Sequence, residues 1–172
     1  MEDQRPPNEP SLSNMTSKAI DLLDKVSNGQ EKGFFLQVEG ASIDKRDHDA
    51  EPCEQIGETI AFDDAIQDAL DYASFHPDTL VIITADHSHT SQIIPTPEEQ
   101  NHPGFYSTLI TKDGANMTLN YATSPFGESQ DHTGSQVSIA AQGPHAENFT
   151  RLIDQTEIFG IMKGALFGNN TK

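Results

Sequence analysis

The sequence is poor in cysteine, tryptophan and long apolar runs. A single Cys among 172 residues excludes a disulfide bond within the chain. No apolar run approaches the roughly 20 residues that a membrane-spanning helix needs. The first ten residues, MEDQRPPNEP, lack the basic start and apolar core of a secretory signal peptide. The length is sufficient for one domain with its own hydrophobic core.

Positive charge is also scarce. Ten Lys and Arg stand against 27 Asp and Glu, and the net charge of -17 argues against nucleic acid or an anionic membrane as a partner. The acidic excess fits either a salt-tolerant or exported protein or an ordinary solvated surface. An anionic substrate would be repelled by such a chain unless metal ions supplied positive charge locally.

Two short apolar runs predict the fold. Phe34 to Val38, after a glycine, and Thr79 to Thr84 are nearly continuous, as are strands buried on both faces of a parallel sheet. Residues 66–73 between them have the spacing of an amphipathic helix. The order strand, helix, strand predicts a βαβ unit with a right-handed crossover. The expected fold class is therefore α/β, with a mostly parallel central sheet flanked by helices.

Acidic residues and histidines follow both apolar runs. The carboxyl ends of parallel strands meet at one edge of a sheet, so these side chains are expected to share one site. Any single one of them is more commonly a helix cap or a solvated side chain, and only the whole set predicts a zinc-like centre. The candidates are Glu39, Asp44, His48, Asp86, His87, His89 and, further along the chain, His132.

Three motifs give the chain a resemblance to bacterial alkaline phosphatases. They are VEGASIDKRDH, ITADHSH and DHTGSQ, in this order and at these separations. The resemblance also includes PCEQIGET, TKDGA, AAQGPHA and DQTEIF, and it covers the chain from about Pro10 onward. It implies that residues 1–172 are the carboxyl-terminal part of one alkaline-phosphatase-like α/β domain, with residues 1–10 as an extended entry segment.

The resemblance implies a site with two zinc ions and one magnesium ion. Asp44, His48 and His132 would hold the first zinc, and the second zinc would be held in part by Asp86 and His87. Such a centre would hydrolyse phosphate monoesters through a phosphoserine intermediate.

Four further residues receive roles from the same resemblance. Glu39 would belong to the magnesium site, and Lys45 would lie near the bound phosphate, through water. His89 would steady a ligand carboxylate from behind. Composition alone predicts that Cys53 is a free, buried thiol, whereas the resemblance makes it half of a disulfide whose partner lies upstream.

The chain also departs from the family pattern. It has no motif for the nucleophilic serine, for the arginine that grips phosphate, or for the aspartate shared between zinc and magnesium. The resemblance therefore implies a carboxyl-terminal fragment, a truncated reading frame or one piece of a cleaved enzyme. Its partners would be the missing amino-terminal half and a second copy in a homodimer, and the parent enzyme would be periplasmic or secreted.

Two functions stay open at this point. One is a hydrolase, either a phosphomonoesterase or a related sulfatase or phosphodiesterase, to which this chain contributes metal ligands without the nucleophile. The other is an inactive metal-binding fragment or pseudoenzyme that another chain completes. In both cases the isolated chain is expected to bind zinc and to hydrolyse esters poorly or not at all.

The remaining elements are predicted from local signals. Ser11 caps a helix over residues 12–26, and Phe105 to Thr111 pairs with Met117 to Tyr121 around an Asp-Gly turn. Val137 to Ala141 is expected to be a strand. Asp154, with a glutamate three residues later, predicts the start of the last helix.

Overall fold

The computed structural model describes residues 5–28, 33–96 and 103–168. Four α-helices are present: α1 Leu12–Ser27, α2 Ala41–His48, α3 Pro52–Phe75 and α4 Gln155–Phe167. Five strands are present: β1 Val81–Ile83, β2 Gln92–Ile94, β3 Phe105–Ile110, β4 Asn116–Tyr121 and β5 Ala140–Gln142. A 3-10 turn, Ala146–Phe149, precedes the last helix. None of the helices in these ranges has the length and apolar character needed to cross a bilayer.

The strands form two small antiparallel sheets. β1 pairs with β5, and β4 lies between β2 and β3. The predicted parallel sheet and its βαβ unit are not formed by the described residues, and Phe34 to Val38 is not a strand. The reason is that a strand exists only through hydrogen bonds to a neighbour, and no described segment pairs with this run. Phe35 is consequently exposed, although the run was expected to be buried on both sides.

Backbone contacts divide the chain into two units. The first is built mainly from Gly40–Ile60 and Asp86–Val137, and it contains α2, the first turns of α3 and the sheet of β2, β4 and β3. The second combines Pro6–Glu39, Ala61–Ala85 and Ser138–Lys172. The prediction that residues 1–172 belong to one larger domain concerns the whole protein and stays a prediction.

The first unit is organised by the β3–β4 hairpin. Its register runs from Phe105 opposite Tyr121 to Ile110 opposite Asn116, as predicted from the Asp-Gly turn. Gly114 in that turn has φ +84°, a conformation that glycine adopts without strain. β2, which was not predicted, adds a third strand along β4.

The second unit contains α1, most of α3, α4 and the two-stranded sheet of β1 and β5. The Ser11 hydroxyl accepts a hydrogen bond from the Asn14 N–H at 3.0 Å and caps α1, as predicted. α1 buries Thr16 and Ile20, whereas Met15, on the apolar face expected to be buried, is exposed. α3 presents mostly alanines to the interior.

Two further predictions concern the start of α4 and the start of β5. The capping box predicted at α4 is present. The Asp154 carboxylate accepts a hydrogen bond from a backbone N–H in the first turn, and the Glu157 carboxylate accepts one from the Asp154 N–H. The strand expected over Val137 to Ala141 begins later, at Ala140.

The environment of Cys53 differs from the composition-based prediction. Cys53 is a free thiol, but it is exposed rather than buried. The physical reason is its place in the first turn of α3, where the neighbouring Pro52 turns inward and Cys53 turns to solvent. The disulfide implied by the resemblance stays a prediction.

Candidate metal centre

Helix α2 of the first unit supplies the first two donors of a side-chain cluster. Asp44 and His48 are four residues apart, so they project from the same face of this helix. The segment after residue 85 supplies His87 and His89. A single antiparallel bridge between Ser88 and Thr133 then brings His132 beside that segment.

The donor atoms of this cluster converge on the Asp44 carboxylate. Its Oδ1 lies 3.2 Å from His132 Nε2 and 3.5 Å from His89 Nε2. Its Oδ2 lies 3.4 Å from His48 Nε2. The two imidazole nitrogens of His48 and His132 are 3.1 Å apart. One donor atom from each of these four residues lies within 4.8 Å of all the others.

The donor chemistry fits a divalent cation. In the described part of the chain, Asp44 Oδ1 is buried and lacks a hydrogen-bond partner. Buried polar atoms without partners are costly, and a cation removes that cost. Zinc bonds of about 2.0 Å in a tetrahedron place neighbouring donors roughly 3.3 Å apart, close to the spacing seen here.

Hydrogen bonds set which histidine nitrogens carry lone pairs. His48 Nδ1 contacts the carbonyl oxygen of Gln130, which only accepts, so Nδ1 holds the proton and Nε2 is free to bind a metal. The backbone reinforces this contact, because the Gln130 N–H donates to the His48 carbonyl at 2.9 Å. His87 Nδ1 is likewise 3.2 Å from the Ser88 carbonyl oxygen, so in a neutral His87 the proton lies on Nδ1 and Nε2 carries the lone pair.

His89 has the opposite arrangement. The Thr90 N–H donates to His89 Nδ1 at 3.0 Å, so a neutral His89 carries its proton on Nε2. That atom lies 3.5 Å from Asp44 Oδ1, and by proximity His89 is the fourth residue of the cluster. Burial, followed by the neighbouring His48, lowers the pKa of His89 and favours that neutral form.

A buried polar layer lies behind the cluster. Asp47 Oδ2 accepts hydrogen bonds from Gln55 Nε2 at 2.8 Å and from Ser91 Oγ at 3.4 Å. Burial raises the pKa of Asp47 to about 6, although the bonds from Ser91 and Gln55 act in the opposite direction. This layer was not predicted from the sequence. The only available signal was the spacing of Asp47 three residues after Asp44.

The other candidate residues lie at different places. The Asp86 side chain is 81% exposed, with Oδ2 at 3.5 Å from His87 Nε2. Lys45 is exposed on α2. Glu39 belongs to the second unit, and its assignment to a magnesium ion stays a prediction.

Comparisons with known proteins decide the family. A sequence profile described as alkaline phosphatase matches residues 1–128 and 122–167. The chain belongs to the alkaline phosphatase family. It is 55% identical over 163 residues to the alkaline phosphatase of Escherichia coli, which covers 95% of this chain and 33% of that protein. It is also 48% identical to the streptomycin-6-phosphate phosphatase of Streptomyces griseus, covering 94% of this chain and 36% of that protein.

Solved structures of the family share the fold. The alkaline phosphatase of the Antarctic bacterium TAB5 has a TM-score of 0.65 at 26% identity, covering 96% of this chain and 42% of that one. A variant of that enzyme, solved with Mg bound, has a TM-score of 0.63. The fold is therefore alkaline-phosphatase-like. The chain spans about a third of the length of its curated relatives, 33% of the E. coli enzyme.

Proposed function

We propose that this chain supplies the first zinc site, and part of the second, to an alkaline phosphatase that hydrolyses phosphate monoesters. The complete centre would hold two zinc ions and one magnesium ion, and the reaction would pass through a phosphoserine. The serine nucleophile would come from outside these residues. Membership of the family and the names of the relatives support the reaction class.

One observation carries the proposal. The Nε2 atoms of His48 and His132 lie 3.1 Å apart, and both face the carboxylate of Asp44. Two imidazole lone pairs and a carboxylate so close together repel one another unless a cation or protons lie between them. We assign these three side chains to the first zinc ion.

The remaining roles follow from this assignment. Asp86 and His87 would hold part of the second zinc, since His87 Nε2 lies 3.5 Å from Asp86 Oδ2. His89 would orient Asp44 through its Nε2 proton. Bound zinc would supply the positive charge that activates the attacking oxygen and stabilises the leaving oxygen. Lys45, exposed on α2, would approach the phosphate through water, and Glu39 would serve the magnesium ion.

The alternative is an inactive metal-binding fragment or pseudoenzyme that another chain completes. The cluster of Asp44, His48, His89 and His132 supports it equally, because such a cluster can hold a metal whether or not the chain turns over substrate. Both functions require zinc binding by Asp44, His48 and His132. They differ in whether the completed assembly turns over substrate. If the chain belongs to an active enzyme, we expect that enzyme to be exported to the periplasm and to form a homodimer.

The decisive experiment measures hydrolysis of a chromogenic phosphate ester in zinc and magnesium. The chain is assayed alone and with the amino-terminal part of the E. coli relative supplied in trans. We expect no turnover from the chain alone and zinc-dependent turnover after complementation. His132→Ala should abolish that turnover, because it removes one of the three ligands of the first zinc.

Asp113→Asn is the matched control, since Asp113 is an exposed turn residue of the same unit and should leave turnover unchanged. Robust turnover by the chain alone would overturn the assignment of the nucleophile to outside residues. Zinc binding without turnover, in an assembly shown to have formed, would favour the pseudoenzyme.

A further inference from the structure

A buried chain of hydrogen bonds supports the cluster from behind. Asp47 is only 3% exposed. Its Oδ2 accepts from Gln55 Nε2 at 2.8 Å and from Ser91 Oγ at 3.4 Å. Three separate segments therefore meet at one carboxylate oxygen: α2, the start of α3 and the segment that follows His89.

Gln55 extends this connection into the sheet. The Tyr121 hydroxyl donates to Gln55 Oε1 at 3.0 Å. Tyr121 is fully buried at the end of β4. Because the Gln55 amide accepts from Tyr121 and donates to Asp47, its orientation is fixed from both ends.

The position of Asp47 in the chain connects this network to the metal centre. Asp47 directly precedes His48 and lies on the same helical face as Asp44, three residues earlier. On the other side, Asp47 Oδ2 is 3.7 Å from His89 Nδ1. A shift of the Asp47 carboxylate would therefore move α2 and its ligands relative to the segment that carries His87 and His89.

The energetics argue against a simple stabilising role. Burying a carboxylate costs free energy unless hydrogen bonds compensate, and in the described part of the chain Asp47 Oδ1 is buried without such a partner. An apolar side chain of similar size would usually serve stability as well or better. A buried, incompletely bonded carboxylate beside a ligand is better suited to fixing geometry.

We propose that Asp47 is a positioning residue of the metal centre, with Gln55 and Tyr121 as its support. This inference rests on the proposed function, because it assumes that Asp44, His48 and His132 bind a metal. Asp47 does not touch the ion. It fixes the position of Asp44 and His48 on α2 relative to the segment that carries His87 and His89.

Cobalt(II) titration of the metal-free chain tests the proposal, because the visible absorption of Co²⁺ reports both affinity and coordination geometry. We expect Asp47→Ala to weaken Co²⁺ binding by roughly 10–100-fold, the usual effect of losing an outer partner, and to alter the absorption band. Asp47→Asn keeps an oxygen that accepts from Gln55, so it should restore much of the affinity. Tyr121→Phe should cause a smaller loss with the same spectral change.

Thr118→Val is the matched control within the same unit. Thr118 is 1% exposed, and its hydroxyl bonds Thr108 at 2.9 Å and Thr96 at 3.0 Å, away from the cluster. The substitution removes buried hydrogen bonds of similar number. It should lower stability and leave the Co²⁺ spectrum unchanged.

The outcomes separate the two proposals. If wild-type chain fails to bind Co²⁺, both the metal centre and the role of Asp47 fall. If wild type binds but folded Asp47→Ala matches its affinity and spectrum, only the role of Asp47 is overturned. An equal spectral change in Thr118→Val would also overturn it, since general loosening would then explain the effect. If Asp47→Ala does not fold, Tyr121→Phe decides by the same criterion.

Discussion

The two units bury different kinds of side chain. Among the described residues, the buried polar groups of the first unit are Asp47, Thr90, Thr118 and Gln130. The buried residues of the second unit are almost all apolar: Ile20, Ala61, Ala65, Ala73 and Phe149, with Thr16 as the exception. The first unit also buries Leu119 and Tyr121, so its buried residues mix polar and apolar side chains, whereas those of the second unit are almost all apolar.

This contrast fits the metal site that we propose for the first unit. A metal centre needs ligands fixed in orientation, and hydrogen bonds specify orientation better than apolar contacts do. Gln130 illustrates this, because its backbone contacts His48 from both directions while its side-chain oxygen accepts from the backbone N–H groups of Thr123 and Ser124.

The largest expected effect is the loss of zinc binding by the first unit. Asp44→Asn should abolish zinc binding, because Asp44 is the group on which the imidazoles converge and an amide is a poor ligand for zinc. Asp113→Asn, with the same change in net charge, should bind zinc as wild type does. Competition with a zinc-chelating dye measures both. Equal affinities in the two variants would contradict the assignment of Asp44.

The next largest effect is a loss of stability caused by a substitution in the second unit. Ile20→Ala should destabilise the chain by about 2–5 kcal/mol, because it removes buried methylene groups and leaves a cavity. Zinc affinity should not change at a temperature where the chain is still folded. Urea denaturation followed by zinc titration makes the measurement. A parallel loss of zinc affinity would show that zinc binding in the first unit depends on the packing of the second.

Added zinc should stabilise the first unit more than the second. At a free zinc concentration about 100 times Kd, binding should stabilise the folded state by ~2.7 kcal/mol. Hydrogen exchange should report the added protection in Gly40–Ile60 and Asp86–Val137, because only these segments carry the cluster. Chelation of the zinc should reverse it. Equal protection of α1 and α4 would contradict a site confined to the first unit.

The smallest effect concerns the cap of α4. The Thr156 side chain and backbone lower the pKa of Asp154 by bonding its carboxylate. A group with a lowered folded pKa stabilises above its unfolded pKa, and this contribution is lost as the pH falls through the folded value. Asp154→Ala should therefore lower the melting temperature slightly near neutral pH and by less in acid. A difference from wild type that grew on acidification would contradict this sign.

Local structure was largely predictable from the sequence. The Ser11 cap, the Asp154–Glu157 capping box and the hairpin around Gly114 depend on residues a few positions apart, and all three were confirmed. The convergence of Asp44, His48 and His132 was also expected, but through motifs that resemble a family. Their metal-binding roles stay predictions.

Long-range pairing was not predictable. β1 pairs antiparallel with β5, nearly sixty residues later, although the same apolar run was expected in a parallel sheet. An apolar run specifies that a strand will be covered, but not which neighbour covers it or in which direction. The exposure of Cys53 was missed for the same reason, since composition does not determine which side of a helix turns inward.

The sequence by itself determined which side chains are able to bind a metal, and it determined the caps and turns, because these depend on residue type and short spacing. Only the tertiary structure decided the tautomers of His48 and His89 and the burial of Asp47 against Gln55 and Ser91. A proton's place on an imidazole depends on the one atom that faces it. That atom comes from a distant part of the chain for His48, and from the local fold of the backbone for His89.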